Sequence, residues 1–336
     1  MKVFEIRDGF GLDQLLEAER PRPTPGHGEV LLEMKAASLN YRDLLMVNGH
    51  YNPRQPLPLI PCSDGVGEVI EVGEGVSRVA IGDRVATLFC QKWRGGAPDK
   101  KKLRHTLGGP YDGTLAEYMV LSEHGVVKVP DHLTHAEAAT LPCAALTAWS
   151  ALVTQGEVAA GDTVLVQGTG GVSLFALQFA RALGARVIVT SSSDAKLEAV
   201  RKLGSWKEIN YVDDPNWGKT VQEMTDGVGA NHIVEVGGGG TLQQSLQAIR
   251  AGGQISLIGV LSGVTTDLNI LPILMQNIRI QGILVGSREG FEKMNRCITQ
   301  HEIRPVVDRI FPFDESREAF VYLSGASHMG KICVEF

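Results

Sequence analysis

TVLVQGTGGVS, residues 163–173, is the stretch whose reading decides the fold. Its opening, TVLVQ, reads as a short buried strand, Gly168, Gly170 and Gly171 interrupt it, and a helical run over 172–183 comes directly after. Strand, glycine turn and helix in that order suit a pyrophosphate. The helix start carries unpaired backbone N–H groups and a partial positive charge, and glycines let an anion approach the backbone closely. Ser173 stands where the dinucleotide pattern GxGxxG has its third glycine, so an ordinary strand-to-helix turn remains open on this stretch alone.

The flanking pattern narrows the choice. Thr134 and Glu137 form a capping box that opens an apolar helix running toward Val153. Further strands are expected at 186–190, 207–210, 232–236, 254–258 and 279–284, with helices between most of them. One helix is expected to begin at Asp214-Pro215 and another at Thr241, with Gln244 three residues on. Helices alternating with short, doubly apolar strands predict an α/β fold with a doubly wound parallel sheet covered on both faces. Ligands of such sheets sit at the carboxyl ends of the strands, where residues 168–171 fall.

Residues 1–126 differ. They show no helical periodicity but short alternating runs cut by Gly and Pro, and strands are expected at 30–36, 66–72, 84–89, 115–121 and 126–129, as in a small β-barrel. Residues 91–110, rich in Lys, Arg and Gly, read as a solvated loop or as the rim of a cleft. Beyond about residue 287, helices over 289–300 and 314–323 and an apolar end, 331–336, are placed to return and complete the first domain.

Composition bounds the function. The 336 residues, 43% of them hydrophobic, suffice for two domains with large cores. A net charge of -6 leaves no basic excess to neutralise phosphates, which argues against a nucleic-acid partner. The start has no long apolar run and the least polar stretch, 138–153, is short and broken by Pro142, so a soluble cytoplasmic protein without membrane partner is expected. Cysteines 62, 90, 143, 297 and 333 are odd in number and lack CxxC spacing, so reduced thiols are expected.

Several stretches carry a resemblance. GVGEVIEVGEGVSRVAIGDRV (65–85), DGTLAEYMVL (112–121), LPCAALTAWSAL (141–152), VLVQGTGGVS (164–173) and HMGKICVEF (328–336) resemble landmarks of the medium-chain dehydrogenase/reductase superfamily over nearly the whole chain. The resemblance is greatest to its quinone oxidoreductases and enoyl reductases. It implies a GroES-like β-barrel catalytic domain at 1–126, completed by 289–336, a Rossmann domain at 127–288, an active site between them, and a homodimer. A buried sixth strand would explain residues 278–285 as well as a dimer edge does.

The resemblance also bears on metal. Zinc alcohol dehydrogenases of the superfamily carry Cys where Asn40 stands, His where Ser63 stands and Cys at the place of Cys143; only the last is present. A catalytic zinc takes about three Cys, His or carboxylate ligands. Asp64 and Cys62 could ligate in principle, but a buried inert thiol accounts for Cys143, and no zinc is expected.

Without a Lewis acid, hydride transfer favours an enone, quinone or activated carbonyl, whose developing enolate spreads its charge. The resemblance implies a general acid at Tyr51 and a polar contact in the cleft at Asn40; packing of the loop tyrosine on the domain edge remains open, and Arg42 and Asp43 read as an ion pair. About twenty residues past a Rossmann glycine turn, an acidic residue binds the ribose diol. That slot holds Ser191, with Ser192 after it, and nothing there repels a 2′-phosphate. The resemblance places Lys196 and Tyr211 where NADPH-dependent quinone oxidoreductases hold that phosphate, and Thr147, Val172, Gly259, Val260 and Val285 where the family touches nicotinamide. NADP(H) is therefore the expected cofactor. Two alternatives remain at this level: an NAD(P)-dependent alcohol dehydrogenase or aldehyde reductase, and a nucleotide-binding protein without turnover.

Overall fold

The computed structural model describes all residues, 1–336. The chain forms two compact units, Met1–Leu146 with Val285–Phe336 and Thr147–Leu284. The division falls later than residue 126 and slightly before 289, because the first unit also holds the residues just beyond 126. There Val126–Lys128 pairs antiparallel with Arg84–Thr87, and the helix His135–Ala139 packs against strands of the same unit.

The first unit opens with a hairpin, β1 (Lys2–Ile6) and β2 (Leu15–Glu19), which the alternation of the sequence did not announce. Next in the chain come β3 (Glu29–Leu39), β4 (Asp64–Val72), β5 (Arg84–Thr87), β6 (Tyr118–Ser122) and β7 (Val126–Lys128). β3 is the hub. Its first half pairs with β6, its last residues with the C-terminal strand, and nearly its whole length with β4. Such a strand has neighbours on both edges, and Leu31, Leu32, Ala36 and Ala37 are fully buried.

A helix, Tyr41–Val47, lies where no helical period was expected. It has seven residues, of which Asp43, Leu44, Met46 and Val47 are buried, too few turns for a period to emerge from sequence. Its start is set by Asp43, whose Oδ2 accepts the Asn40 N–H at 2.9 Å. The 91–110 segment likewise holds a short helix, Lys100–Leu103, capped by Asp99.

The second unit carries β8 (Thr163–Gln167), β9 (Arg186–Ser191), β10 (Lys207–Asn210), β11 (Ala230–Glu235), β12 (Ile249–Leu257) and β13 (Arg279–Gly282). All pair in parallel, in the order β10-β9-β8-β11-β12-β13. β8, β9 and β10 build outward one way and β11, β12 and β13 the other, so the order reverses beside β8. Leu165, Ile188, Ile233 and Ile255 fill the core with Trp217, Val221 and Leu246 from the helices. β13 is an exposed edge strand, which overturns the buried sixth strand. The helix expected at Asp214-Pro215 starts at Trp217 behind Asn216, because Asp214 is engaged by Thr220 and Asn216.

The capping box holds as read: Thr134 Oγ1 accepts from the Glu137 N–H at 3.2 Å and Glu137 Oε2 from the Thr134 N–H at 2.8 Å. The apolar run beyond it is not one regular helix. Leu141–Ala145 and Ser150–Thr154 are π-helical, with Gln155 N–H donating to Ser150 C=O at 2.9 Å. Pro142, which lacks an N–H, sits in the first of these wide turns. The chain then returns to the first unit with β14 (Val307–Pro312) and β15 (Lys331–Glu335).

Candidate active site

In the first unit a charged cluster is buried at the end of β3. β15 runs antiparallel to β3 with Ile332 opposite Leu39, which brings Lys331 alongside Asn40. The Lys331 ammonium is buried and donates to the Leu39 carbonyl and, at 2.6 Å, to Asn40 Oδ1. Asn40 Nδ2 is buried and makes no aligned hydrogen bond. Asp43 Oδ1 pairs with Arg42 Nη1 at 3.0 Å, as expected from the sequence. Burial raises the Asp43 pKa above its ordinary value, against the pull of Arg42.

Asp64 accepts from Ser63 Oγ at 2.6 Å and from the Cys143 N–H at 3.0 Å. Burial pushes its pKa up to about 6, the Asp43 charge adding to the rise while Lys331, Ser63 and Asn40 oppose it. The Cys143 thiol is driven well above the ordinary range by burial and by the Asp64 charge.

Arg42 does more than pair with Asp43. Its Nη1 donates to the carbonyls of Leu107 at 3.0 Å and Gly108 at 3.1 Å. Its guanidinium also stands over the rings of Tyr51, 4.7 Å from the centroid, and Phe89, 5.3 Å. The Tyr51 ring is thus held on one side, while the residue stays 43% exposed. The 91–110 segment is fastened at its far end by Arg42 and at its near end by Arg288 and Glu289, whose N–H groups donate to Trp93 and Arg94 carbonyls at 3.0 Å.

In the second unit Gly168 sits at φ 71, a conformation only glycine adopts without strain, and the space where a Cβ of Gly170 would stand is open. Gly171 begins the helix Gly171–Ala182, with Val172 in its first turn. Ser173 Oγ donates to the Gln167 carbonyl at 2.7 Å, so this replacement for the third glycine sews helix to strand. An open turn at a helix start, at the carboxyl end of β8 and beside the order reversal, fits a dinucleotide pyrophosphate.

Ser191 ends β9 opposite Asn210, and the Tyr211 N–H donates to its carbonyl at 3.1 Å. Ser193 caps the helix Asp194–Lys202. The structure therefore brings Ser191, Ser192, Lys196 and Tyr211 to the same strand ends. Asp194 Oδ1 accepts from Asn210 Nδ2 at 2.8 Å. Gly259 and Val260 come just after β12, and the Gly259 N–H donates to the Glu235 carbonyl at 3.3 Å. Thr147 is buried at the head of the unit. Val285 belongs to the first unit, with φ 50, a strained value for a β-branched residue.

Lys331 and Glu235 were missed as cluster residues. The signal for each was a charge beside an apolar strand, in KICVEF and IVEVGGGG, which demands a buried partner.

The residues at the first-unit cluster do not fit a catalytic zinc. No group of three or more His, Cys, Asp or Glu is placed to hold a metal ion. Asn40 already faces an ammonium, and Ser63 Oγ donates to Asp64, so neither side chain offers zinc an anionic or imidazole ligand.

A parallel sheet with an anion-ready glycine turn at its order reversal, joined in sequence to a mostly antiparallel unit with a buried polar cluster, defines a dinucleotide-dependent enzyme. Residues 26–131 match the alcohol dehydrogenase GroES-like domain and residues 171–300 the zinc-binding dehydrogenase domain. A zinc-type alcohol dehydrogenase-like protein of Schizosaccharomyces pombe is 46% identical over 97% of this chain and 96% of its own. An acryloyl-coenzyme A reductase of Metallosphaera sedula is 30% identical over 92% of this chain and 93% of its own. Among solved structures, one from Sinorhizobium meliloti 1021 matches with TM-score 0.93 at 41% identity, covering 100% of this chain and 98% of that one. An NAD-dependent alcohol dehydrogenase matches with TM-score 0.91 at 32% identity, each chain fully covered. The chain belongs to the medium-chain dehydrogenase/reductase superfamily as an alcohol dehydrogenase-like NAD(P)-dependent oxidoreductase. No helix is long and apolar enough to cross a membrane.

Proposed function

We propose that this protein is a zinc-independent, NADPH-dependent reductase of an enone, quinone or activated carbonyl. The observation that carries the reading is the ammonium of Lys331 bonded to Asn40, at a place where a catalytic zinc would need anionic or imidazole ligands. Likeness to an acryloyl-coenzyme A reductase, by name an enzyme of a conjugated thioester, supports an activated alkene.

Bound reduced nicotinamide supplies a hydride. Asn40 Nδ2, one side of which is turned to Asp64, would donate its other N–H to the substrate oxygen on which negative charge develops. Tyr51, its ring held by Arg42, delivers the proton that completes the reduction. Gly168, Gly170 and Gly171 would hold the pyrophosphate. Ser191, Ser192, Lys196 and Tyr211 would receive a 2′-phosphate, since β9 ends without a carboxylate to repel it. Thr147, Val172, Gly259, Val260 and Val285 would line the nicotinamide. A second reading, reduction of simple aldehydes or oxidation of alcohols, is favoured by the alcohol dehydrogenase names of other relatives.

NADPH and NADH consumption measured in parallel over acryloyl-coenzyme A, cyclohexenone, benzoquinone and an aldehyde, with metal analysis of the gently purified protein, tests the reading. Turnover of the conjugated substrates with NADPH is expected. Activity confined to the aldehyde, or near one zinc per chain, overturns it.

The protein is further proposed to be a homodimer through β13 and the helix Leu271–Met275, a surface on which Ile270, Leu271, Leu274 and Met275 are exposed beside an unpaired strand edge. A monomer in sedimentation at micromolar concentration would contradict this.

A further inference from the structure

We propose that Lys331 is a positioning residue for the reaction, fixing the Asn40 carboxamide so that Nδ2 alone faces the substrate oxygen. The inference rests on the reading of Asn40 as the donor to that oxygen.

A primary amide can present either its oxygen or its NH2 group to a given neighbour, and a donor in the wrong orientation stabilises nothing. An ammonium removes the ambiguity because it carries three donors and no acceptor. With Lys331 Nζ at 2.6 Å, the Asn40 side chain must turn its oxygen to the lysine, since the reverse would press N–H against N–H. Nδ2 is then turned from Lys331 toward the side on which Asp64 lies, where one of its two N–H groups meets that carboxylate and the other is left for the substrate oxygen.

The lysine is itself fixed. It opens β15, its neighbour Ile332 is in register with Leu39, and its ammonium also donates to the Leu39 carbonyl. Asn40 is held from its backbone by Asp43 Oδ2 at 2.9 Å. The charges balance, since the buried carboxylates Asp43 and Asp64 lie with the cations Arg42 and Lys331. Two segments 291 residues apart thus converge on one amide.

The test is a double-mutant cycle between Lys331→Met and Asn40→Ala, with kcat, KM and NADPH affinity measured on acryloyl-coenzyme A and cyclohexenone. Lys331→Met is expected to lower kcat about tenfold to a hundredfold, as loss of one preorganised donor does, while NADPH affinity stays near wild type. In the Asn40→Ala background the same substitution should cost no more than about twofold, because residues acting as one unit are non-additive. Lys331→Arg, which keeps a charged donor, should recover part of kcat.

Equal losses in both backgrounds, or an unchanged kcat in Lys331→Met, overturn the inference. Wild-type kcat in Asn40→Ala overturns instead the role of Asn40 on which it rests. Met leaves two carboxylates facing one cation, so the cycle is also run on Asp64→Asn, where loss of Lys331 keeps the charges balanced. The same two outcomes decide it there, and a Lys331→Met loss that persists in Asn40→Ala on that background counts as structural and against the proposal.

Discussion

Glu235, at the end of β11, and Asp64, at the start of β4, are both fully buried, yet their charges are met in different ways. Glu235 is met by neutral donors of its own unit. Its Oε1 accepts from the N–H groups of Gly237 at 2.9 Å and Gly238 at 3.0 Å and from Thr241 Oγ1 at 2.5 Å. Its Oε2 accepts from Gln167 Nε2 at 2.7 Å and Ser245 Oγ at 2.5 Å. Asp64 has neutral donors in Ser63 Oγ, the Cys143 N–H and the Asn40 side chain, and it also faces the charges of Lys331 and Asp43. A carboxylate closed by fixed dipoles holds a turn in place. One balanced by neighbouring ions retains the capacity to respond to a proton or a ligand.

The strongest way to break this contrast is at Glu235. Glu235→Gln sets an NH2 group against donors on one side of the web, and a loss of about 3 kcal/mol or more is expected in urea denaturation. A loss below about 1 kcal/mol would show that the web is not what holds the turn after β11.

Asp64 should make stability depend on pH. Folding raises the Asp64 pKa from 3.8 to about 6, so the folded state binds the proton more tightly between those values. Its contribution to stability is complete below the unfolded pKa and is lost as pH rises through about 6. The stability of wild type relative to Asp64→Asn should therefore fall by about 2 kcal/mol between pH 4 and pH 7. A difference constant across that window would mean that Asp64 keeps an ordinary pKa in the fold.

Tyr51→Phe sharpens the contrast on the first-unit side. It removes the proposed acid but leaves the ring under Arg42, so kcat should fall about 100-fold with stability unchanged. Unaltered turnover would remove Tyr51 from the mechanism. The smallest effect is expected in the second unit, where Ser191→Asp places a carboxylate at the end of β9. The ratio of NADPH to NADH affinities should shift at least about tenfold toward NADH, read from the two dissociation constants.

The alternation of helices and strands after residue 163 was legible because each element carries the period of its own apolar residues; β8, β9 and β10 fall within a residue of expectation. The first unit was less so. β6 starts at Tyr118 rather than Leu115, because its pairing is set by the distant β3, and the hairpin of β1 and β2 went unread. The helix Tyr41–Val47 escaped because seven residues show no period.

By itself the sequence determined the glycine turn, its strand and helix, the serine at the end of β9, and the lack of His or Cys at positions 40 and 63. These are local facts: a φ of 71 at Gly168 or the absence of a carboxylate at Ser191 needs no neighbour to be read. Only the tertiary structure decided that Lys331 meets Asn40, that Cys143 meets Asp64 through its N–H, and that Arg42 holds Tyr51. Those meetings depend on the register of β15 against β3 and on the path of the π-helical turns, and neither is encoded within a short window of residues.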